Sequence, residues 1–199
     1  MIPLQKAKSI IQKHIFILET ESVSLSDAGN RVLAEDIIAT FPSPQFDNSA
    51  MDGFAVRSAD TEGASPDNPI TLKVVSISSA GSPSDVDLQS GECSQCMTGA
   101  KIPVGADAII MVEDSSGFSD SDSVQVMSEA SAGKHIRRMG EEIAEDELLI
   151  QKGTRITPGE IGTCATFGYG KLSVAKKPKI AIFGTGDELI EPGNELKPG

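Results

Sequence analysis

Apolar residues recur three and four positions apart from Pro3 to Leu18, at Leu4, Ala7, Ile10, Ile11, Ile15 and Leu18, with His14 in the same stripe. That spacing predicts an amphipathic helix opened by Pro3, whose stripe needs a partner surface. Ser24 to Gly29 predicts a capped helical turn stopped by glycine, and Val32, Ala34, Ile37 and Ile38 alternate toward a strand within Arg31 to Thr40. From Phe54 to Glu129 the pattern breaks into short strands, one starting at Phe54 and others over Ile70 to Ile77, Asp107 to Val112 and Ser123 to Met127. The stretches 78–90 and 114–122, rich in Ser, Asp and Gly, read as loops between them. Further on, Leu148 to Ile150 predicts a strand before the Lys152-Gly153 turn. Thr157 and Pro158 open a helix that Gly168 stops, and Lys171 to Ala175 and Lys179 to Phe183 read as strands. The sum is a mainly β chain with a few helices, of the α+β class.

Composition narrows what this chain can be. Its 199 residues, 39% hydrophobic, suffice for one ordinary domain or two small ones. No apolar run approaches the ~20 residues that span a bilayer, and the N-terminus lacks a signal-peptide pattern, so the expected location is the cytoplasm. A net charge of −12 repels polyanions as a whole and argues against nucleic-acid binding. The one basic cluster, Lys134-His135-Ile136-Arg137-Arg138, suits a small anion or phosphate, or is a solvated strand edge. Three cysteines, Cys93, Cys96 and Cys164, are too few for a disulfide framework. Cys93-Ser94-Gln95-Cys96 has the spacing of a redox pair, but its neighbours read as strand and turn rather than a helix start, and no second pair of zinc ligands is present.

One stretch resists assignment to helix or strand. In residues 42–56, Pro42 and Pro44 enforce an extended entry, Asp47-Asn48-Ser49 offer turn-stabilising side chains, and Met51-Asp52-Gly53 makes a second turn. On residue chemistry alone this polar arc reads first as a well-capped connection and second as the wall of a site. Farther on, Thr98-Gly99-Ala100 can set a hydroxyl and amides against an anion, Glu141-Glu142 stands beside two arginines, and Thr185-Gly186-Asp187-Glu188 follows the last predicted strand. That last turn lacks the third glycine of a dinucleotide fingerprint, since Leu189 holds its place.

The run Phe46-Asp47-Asn48-Ser49-Ala50-Met51-Asp52-Gly53-Phe54-Ala55-Val56-Arg57 resembles the signature loop of the molybdopterin molybdenumtransferases, the MoeA and gephyrin E-domain family. The segment from Thr98-Gly99-Ala100 through Ile102-Pro103 and Gly105-Ala106-Asp107-Ala108 to Glu113 is similar to the family's second motif. Thr185 to Leu189 is similar to the opening of its α/β cofactor-binding domain. At Gly140-Glu141-Glu142-Ile143 the chain departs from the usual pattern, with Glu142 in place of Asp.

The resemblance implies a composite N-terminal and dimerisation domain over 1–41 and 131–176, an inserted β-rich domain over 42–130, and the first strand of a truncated α/β molybdopterin-binding domain over 177–199. It also implies that the sequence is the N-terminal portion of a longer protein. The implied reaction takes adenylylated molybdopterin and molybdate, releases AMP and requires Mg2+. The implied partners are a second copy of the chain, giving a homodimer whose site joins the α/β domain of one subunit to the inserted domain of the other, and a molybdopterin adenylyltransferase. By motif match, Asp52, Thr98 and Glu188 are the expected catalytic residues, with Asp52 and Glu188 linked to metal and Thr98 an oxyanion donor. Ser49, Glu142, Arg137, Arg138, Thr185 and Asp187 are the expected substrate contacts, Ser49 chiefly shaping the loop. The rival expectation is a non-catalytic dimerisation or scaffold module of a gephyrin-like protein.

Overall fold

A computed structural model describes residues 2–119, 121–186 and 188–195. In chain order its elements are α1 (Leu4–Lys13), β1 (Thr20–Ser24), β2 (Ile37–Ile38), β3 (Asn48–Ser49), β4 (Gly53–Val56), β5 (Ile70–Ser78), β6 (Glu92–Cys96), β7 (Ala108–Met111), β8 (Ser123–Val126), β9 (Ile136–Arg137), β10 (Leu148–Ile150), α2 (Pro158–Thr166) and β11 (Lys171–Ala175). Three short 3-10 turns lie at Leu25–Asp27, Ser58–Thr61 and Val112–Asp114. The α+β expectation of many short strands with few helices holds, and the predicted strands of the central region are found within a residue or two of their expected ends.

Contacts divide the chain into two units, residues 1–36 with 150–199 and residues 37–149. In the first, β1 pairs antiparallel with β11, from Thr20 opposite Ala175 to Ser24 opposite Lys171. Leu33, Ile156, Cys164, Leu172 and Val174 are buried beside it. Arg31, only 8% exposed, is compensated by an ion pair with Glu21 and a bond to the Ala175 carbonyl. Helix α2 begins as its sequence predicts, with Thr157 and Glu160 forming a reciprocal capping box and Pro158 at the first position.

Two expectations for this unit are corrected. Helix α1 ends at Lys13 rather than Leu18, and none of its residues is buried. The expected strand at Lys179 to Phe183 is absent. Ile182 and Phe183 are 91% and 85% exposed, because the segment pairs with no described strand and a lone strand has no ladder to hold it.

The second unit is built on a mixed five-stranded sheet in the order β7-β4-β6-β5-β8, with β5 and β6 parallel and the other neighbours antiparallel. Alternation along β4 sends Phe54 and Val56 to one face with Leu72, Cys93, Ile110, Val124 and Val126, and Ala55 to the other with Cys96, Ala100 and Ile109. Phe118 covers the first face, its ring centroid 5.3 Å from that of Phe54. Gly53 is needed at the start of β4, since a Cβ there would lie 2.0 Å from the Ile110 carbonyl oxygen across the sheet. Residues 131–149 belong to this unit because β9 pairs with β3 and the Ala39 and Glu147 backbones are hydrogen bonded.

Candidate functional site

The loop before β4 is held from three sides, which fixes its polar residues without a helix. Asp47 accepts hydrogen bonds from the Arg138 guanidinium at 2.5 Å and the Met139 N–H at 2.8 Å. Those two bonds, the backbone one foremost, hold its carboxyl below the usual range. Ser49 is fully buried. Its N–H donates to the Ala100 carbonyl at 3.0 Å, and its carbonyl accepts from the Gly99 N–H at 2.8 Å. Its hydroxyl donates to the Met51 carbonyl, so Ser49 closes the turn that follows rather than facing a ligand.

That turn presents Asp52 to the segment after β6. Asp52 Oδ1 accepts the Thr98 backbone N–H at 2.7 Å and the Thr98 hydroxyl at 2.8 Å, while the Asp52 carbonyl accepts the Val112 N–H at 3.0 Å. The two Thr98 bonds lower the pKa of Asp52, so it is ionised at neutral pH. Its Oδ2 takes no bond from any described residue, leaving one hard oxygen free on a fixed carboxylate. Thr98, expected as an oxyanion donor, commits both its donors to Asp52 in this arrangement and so acts as its positioning residue.

The two expected arginines are used differently. Arg138 is tied to Asp47, and its N–H donates to Glu141. Arg137 lies on β9 directly opposite Asn48 and has no carboxylate within ion-pair distance among the described residues. Glu142 is exposed and accepts a long 3.3 Å bond from the Ser43 hydroxyl, beside a 3.0 Å bond from its own N–H to the Ser43 carbonyl. Thr185 and Glu188 belong to the other unit and are exposed, in a stretch without helix or strand. Asp187 lies outside the described residues.

Two features escaped sequence reasoning. The Gly105-Ala106-Asp107-Ala108 motif is structural: Asp107 accepts the Ser58 N–H at 2.6 Å and the Ser58 hydroxyl at 2.8 Å, and a Cβ at Gly105 would meet the Leu88 carbonyl at 2.5 Å. Acidic side chains that hold backbone N–H groups carry no local sequence signal separating them from ligands. The second is a groove of about 270 Å3 lined by Phe46, Gly99, Lys101 and the loop from Ser79 to Pro83. The C-x-x-C cysteines are both free and fully buried, which disfavours their thiolates. Burial pushes Cys93 up to about 12 and Cys96 up to about 11, and the two belong to cores on opposite faces of the sheet.

Residues 2–168 match the family described as MoeA N-terminal region (domain I and II). The chain is 41% identical over 183 residues to the molybdopterin molybdenumtransferase of Bacillus subtilis, covering 91% of this chain and 43% of that protein. It is 38% identical over 199 residues to molybdopterin molybdenumtransferase 2 of Mycobacterium tuberculosis, covering 100% of this chain and 49% of that one. The crystal structure of the molybdopterin biosynthesis MoeA protein from Pyrococcus horikoshii OT3 superposes with a TM-score of 0.86 at 36% identity, covering 98% of this chain and 52% of its own. The chain thus spans about half the length of the curated relatives it matches.

Proposed function

The chain belongs to the MoeA family, of which it carries the N-terminal region, and on that premise we propose that it serves molybdenum cofactor biosynthesis by supplying part of a molybdenumtransferase site. The reaction is insertion of molybdenum from molybdate into adenylylated molybdopterin with release of AMP. One observation carries the reading: Asp52, an ionised carboxylate, is locked by two Thr98 donors with Oδ2 left open, where two family motifs meet.

The residue chemistry suits a step in which a phosphate link is cleaved and an oxoanion is moved. Such a step concentrates negative charge, which fixed cations and a hard metal ion offset. Magnesium takes one or two carboxylates and fills its other positions with water and substrate phosphate. Asp52 Oδ2 fits as one such ligand. Among the described residues no group of three acidic, His or Cys side chains is gathered to hold an ion unaided. Bound there, magnesium would withdraw charge from phosphate oxygens. Glu188 is the second proposed carboxylate by motif match, and Arg137 is the proposed cation for the phosphate. A homodimer, an adenylyltransferase that supplies the substrate, and a cytoplasmic location complete the proposal on family likeness. No helix among the described residues is long and apolar enough to cross a membrane.

The test is Asp52→Asn in the native-length gene product, given adenylylated molybdopterin, magnesium and molybdate and scored by activation of a molybdenum-free apoenzyme. The substitution keeps an acceptor for Thr98 and removes the charge, so the fold survives and insertion drops by about 100-fold or more. Unchanged insertion by a folded variant removes Asp52 from the chemistry. A folded wild-type protein without insertion activity supports the scaffold reading instead.

A further inference from the structure

We propose that Lys101, Asn48 and Arg137 form a subsite for a tetrahedral oxyanion, and that its occupant is the phosphate of a nucleotide-type ester. Asn48 is the middle member of a three-strand strip, directly opposite Arg137 on one side and directly opposite Lys101 on the other, both antiparallel. Directly opposed residues of antiparallel strands project from the same face. The Lys101 pairing is of the close type, since the ladder bonds lie on either side of it, from the Ser49 N–H to the Ala100 carbonyl and from the Ile102 N–H to the Asp47 carbonyl. One face therefore carries an ammonium, a carboxamide and a guanidinium in a row.

Three facts set this row apart from a solvated strand edge. Lys101 and Arg137 have no carboxylate within ion-pair distance among the described residues, in a chain of net charge −12 where acidic partners abound. The neighbouring Arg138, by contrast, is neutralised by Asp47. Asn48 is only 8% exposed, and its Oδ1 is enclosed without a hydrogen-bond partner. Buried amides are ordinarily satisfied. The orphaned atom is an acceptor, so a ligand completes its bonding only through a donor such as a hydroxyl of an ester's organic part, while the oxyanion itself is met by the two cations and the amide N–H.

A tetrahedral oxyanion fits this row, because two cations supply the charge and the carboxamide supplies an N–H donor. The Lys101 end opens into the groove of about 270 Å3 lined by Phe46 and Gly99, next in sequence to Thr98, which offers room and an aromatic face for the organic part of an ester. The subsite rests on the strand register, and the choice of ester over inorganic oxoanion rests on the proposed function.

The test is titration of this chain, isotope-labelled, with AMP and separately with molybdate, following its backbone amide resonances. Saturable shifts at Asn48, Lys101 and Arg137 with AMP are expected. Lys101→Met and Arg137→Met each weaken binding by about tenfold, as expected for loss of one charged hydrogen bond. Lys101→Arg retains most of the affinity, Asn48→Asp abolishes binding, and Lys73→Met, an equal loss of charge on β5, leaves it unchanged. The same pattern with molybdate alone keeps the subsite and overturns its assignment to an ester. No saturable shift with either ligand, or equal weakening by Lys73→Met, overturns the subsite. Because the readout is binding by this chain, loss of insertion activity with binding intact counts against the functional reading only.

Discussion

Thr98 donates twice to a single carboxylate oxygen, and that geometry makes the state of Asp52 dependent on a residue in a different motif. Thr98→Val removes the hydroxyl bond and keeps the backbone one. The pKa of Asp52 is then expected to move up toward the ordinary carboxylate value, read by the carboxyl 13C shift as a function of pH, and an unmoved titration would refute the coupling. The sign for stability follows from linkage. Asp47 and Asp52 both titrate lower folded than unfolded, so what they contribute is present above the ordinary carboxylate pKa and is lost as pH falls through their depressed folded values. The cysteines run the other way. Cys93 and Cys96 are held protonated to about 12 and about 11, so the unfolded chain ionises first and stability declines as pH rises above about 9. A thiol reagent at neutral pH is expected to leave both unmodified until denaturant is added; fast labelling of the native chain would contradict their burial. Asp52 and Thr98 could be nominated from their motifs. The strip of Lys101, Asn48 and Arg137 could not, since the register that aligns three distant segments is encoded in no local pattern.

At the scale of elements, what the sequence revealed follows how local each cause is. Helix α2 was legible because its capping box and Pro158 act within one turn, and β11 because Leu172 and Val174 alternate into a core. Helix α1 kept its type but stops short, its stripe meeting no described partner that buries it. Lys179 to Phe183 has the composition of a strand and none of the pairing, and pairing is what makes one. Glycine is where an element most depends on a distant neighbour. Gly53→Ala places a methyl group 2.0 Å from the Ile110 carbonyl oxygen, a contact with backbone on β7 that no rotamer relieves. The sheet must open between β4 and β7, so a loss of about 3 kcal/mol or more is expected in urea unfolding. The loop bearing Asp52 leads directly into that strand, and the variant is therefore expected to blunt the Asp52 site as well. A wild-type midpoint in Gly53→Ala would show that β4 does not hold the register described.

For the whole molecule, the cores of the sheet and the Asp52 site lie within residues 37–149, which the chain enters and leaves at neighbouring points. The Ala39 N–H donates to the Glu147 carbonyl at 2.8 Å, and the Asp146 N–H donates to the Ala39 carbonyl at 3.0 Å. A unit whose ends are joined by its own backbone bonds, with a hydrophobic core on each face of its sheet, meets the requirements of an independently folding domain. Residues 37–149 expressed alone are therefore expected to give a dispersed amide spectrum and one cooperative urea transition. The resonances of Asp52, Thr98, Asn48, Lys101 and Arg137 should keep the shifts they have in the 199-residue chain. The comparison separates two ways of building a site. Preserved shifts mean that this unit holds its share of the proposed site ready-made, and that residues outside it, the proposed carboxylate Glu188 among them, do not shape the Asp52 loop. A collapsed spectrum means that the loop takes its form only with the rest of the chain, and the fixed Asp52 carboxylate from which the proposed function starts would then be a property of the larger assembly.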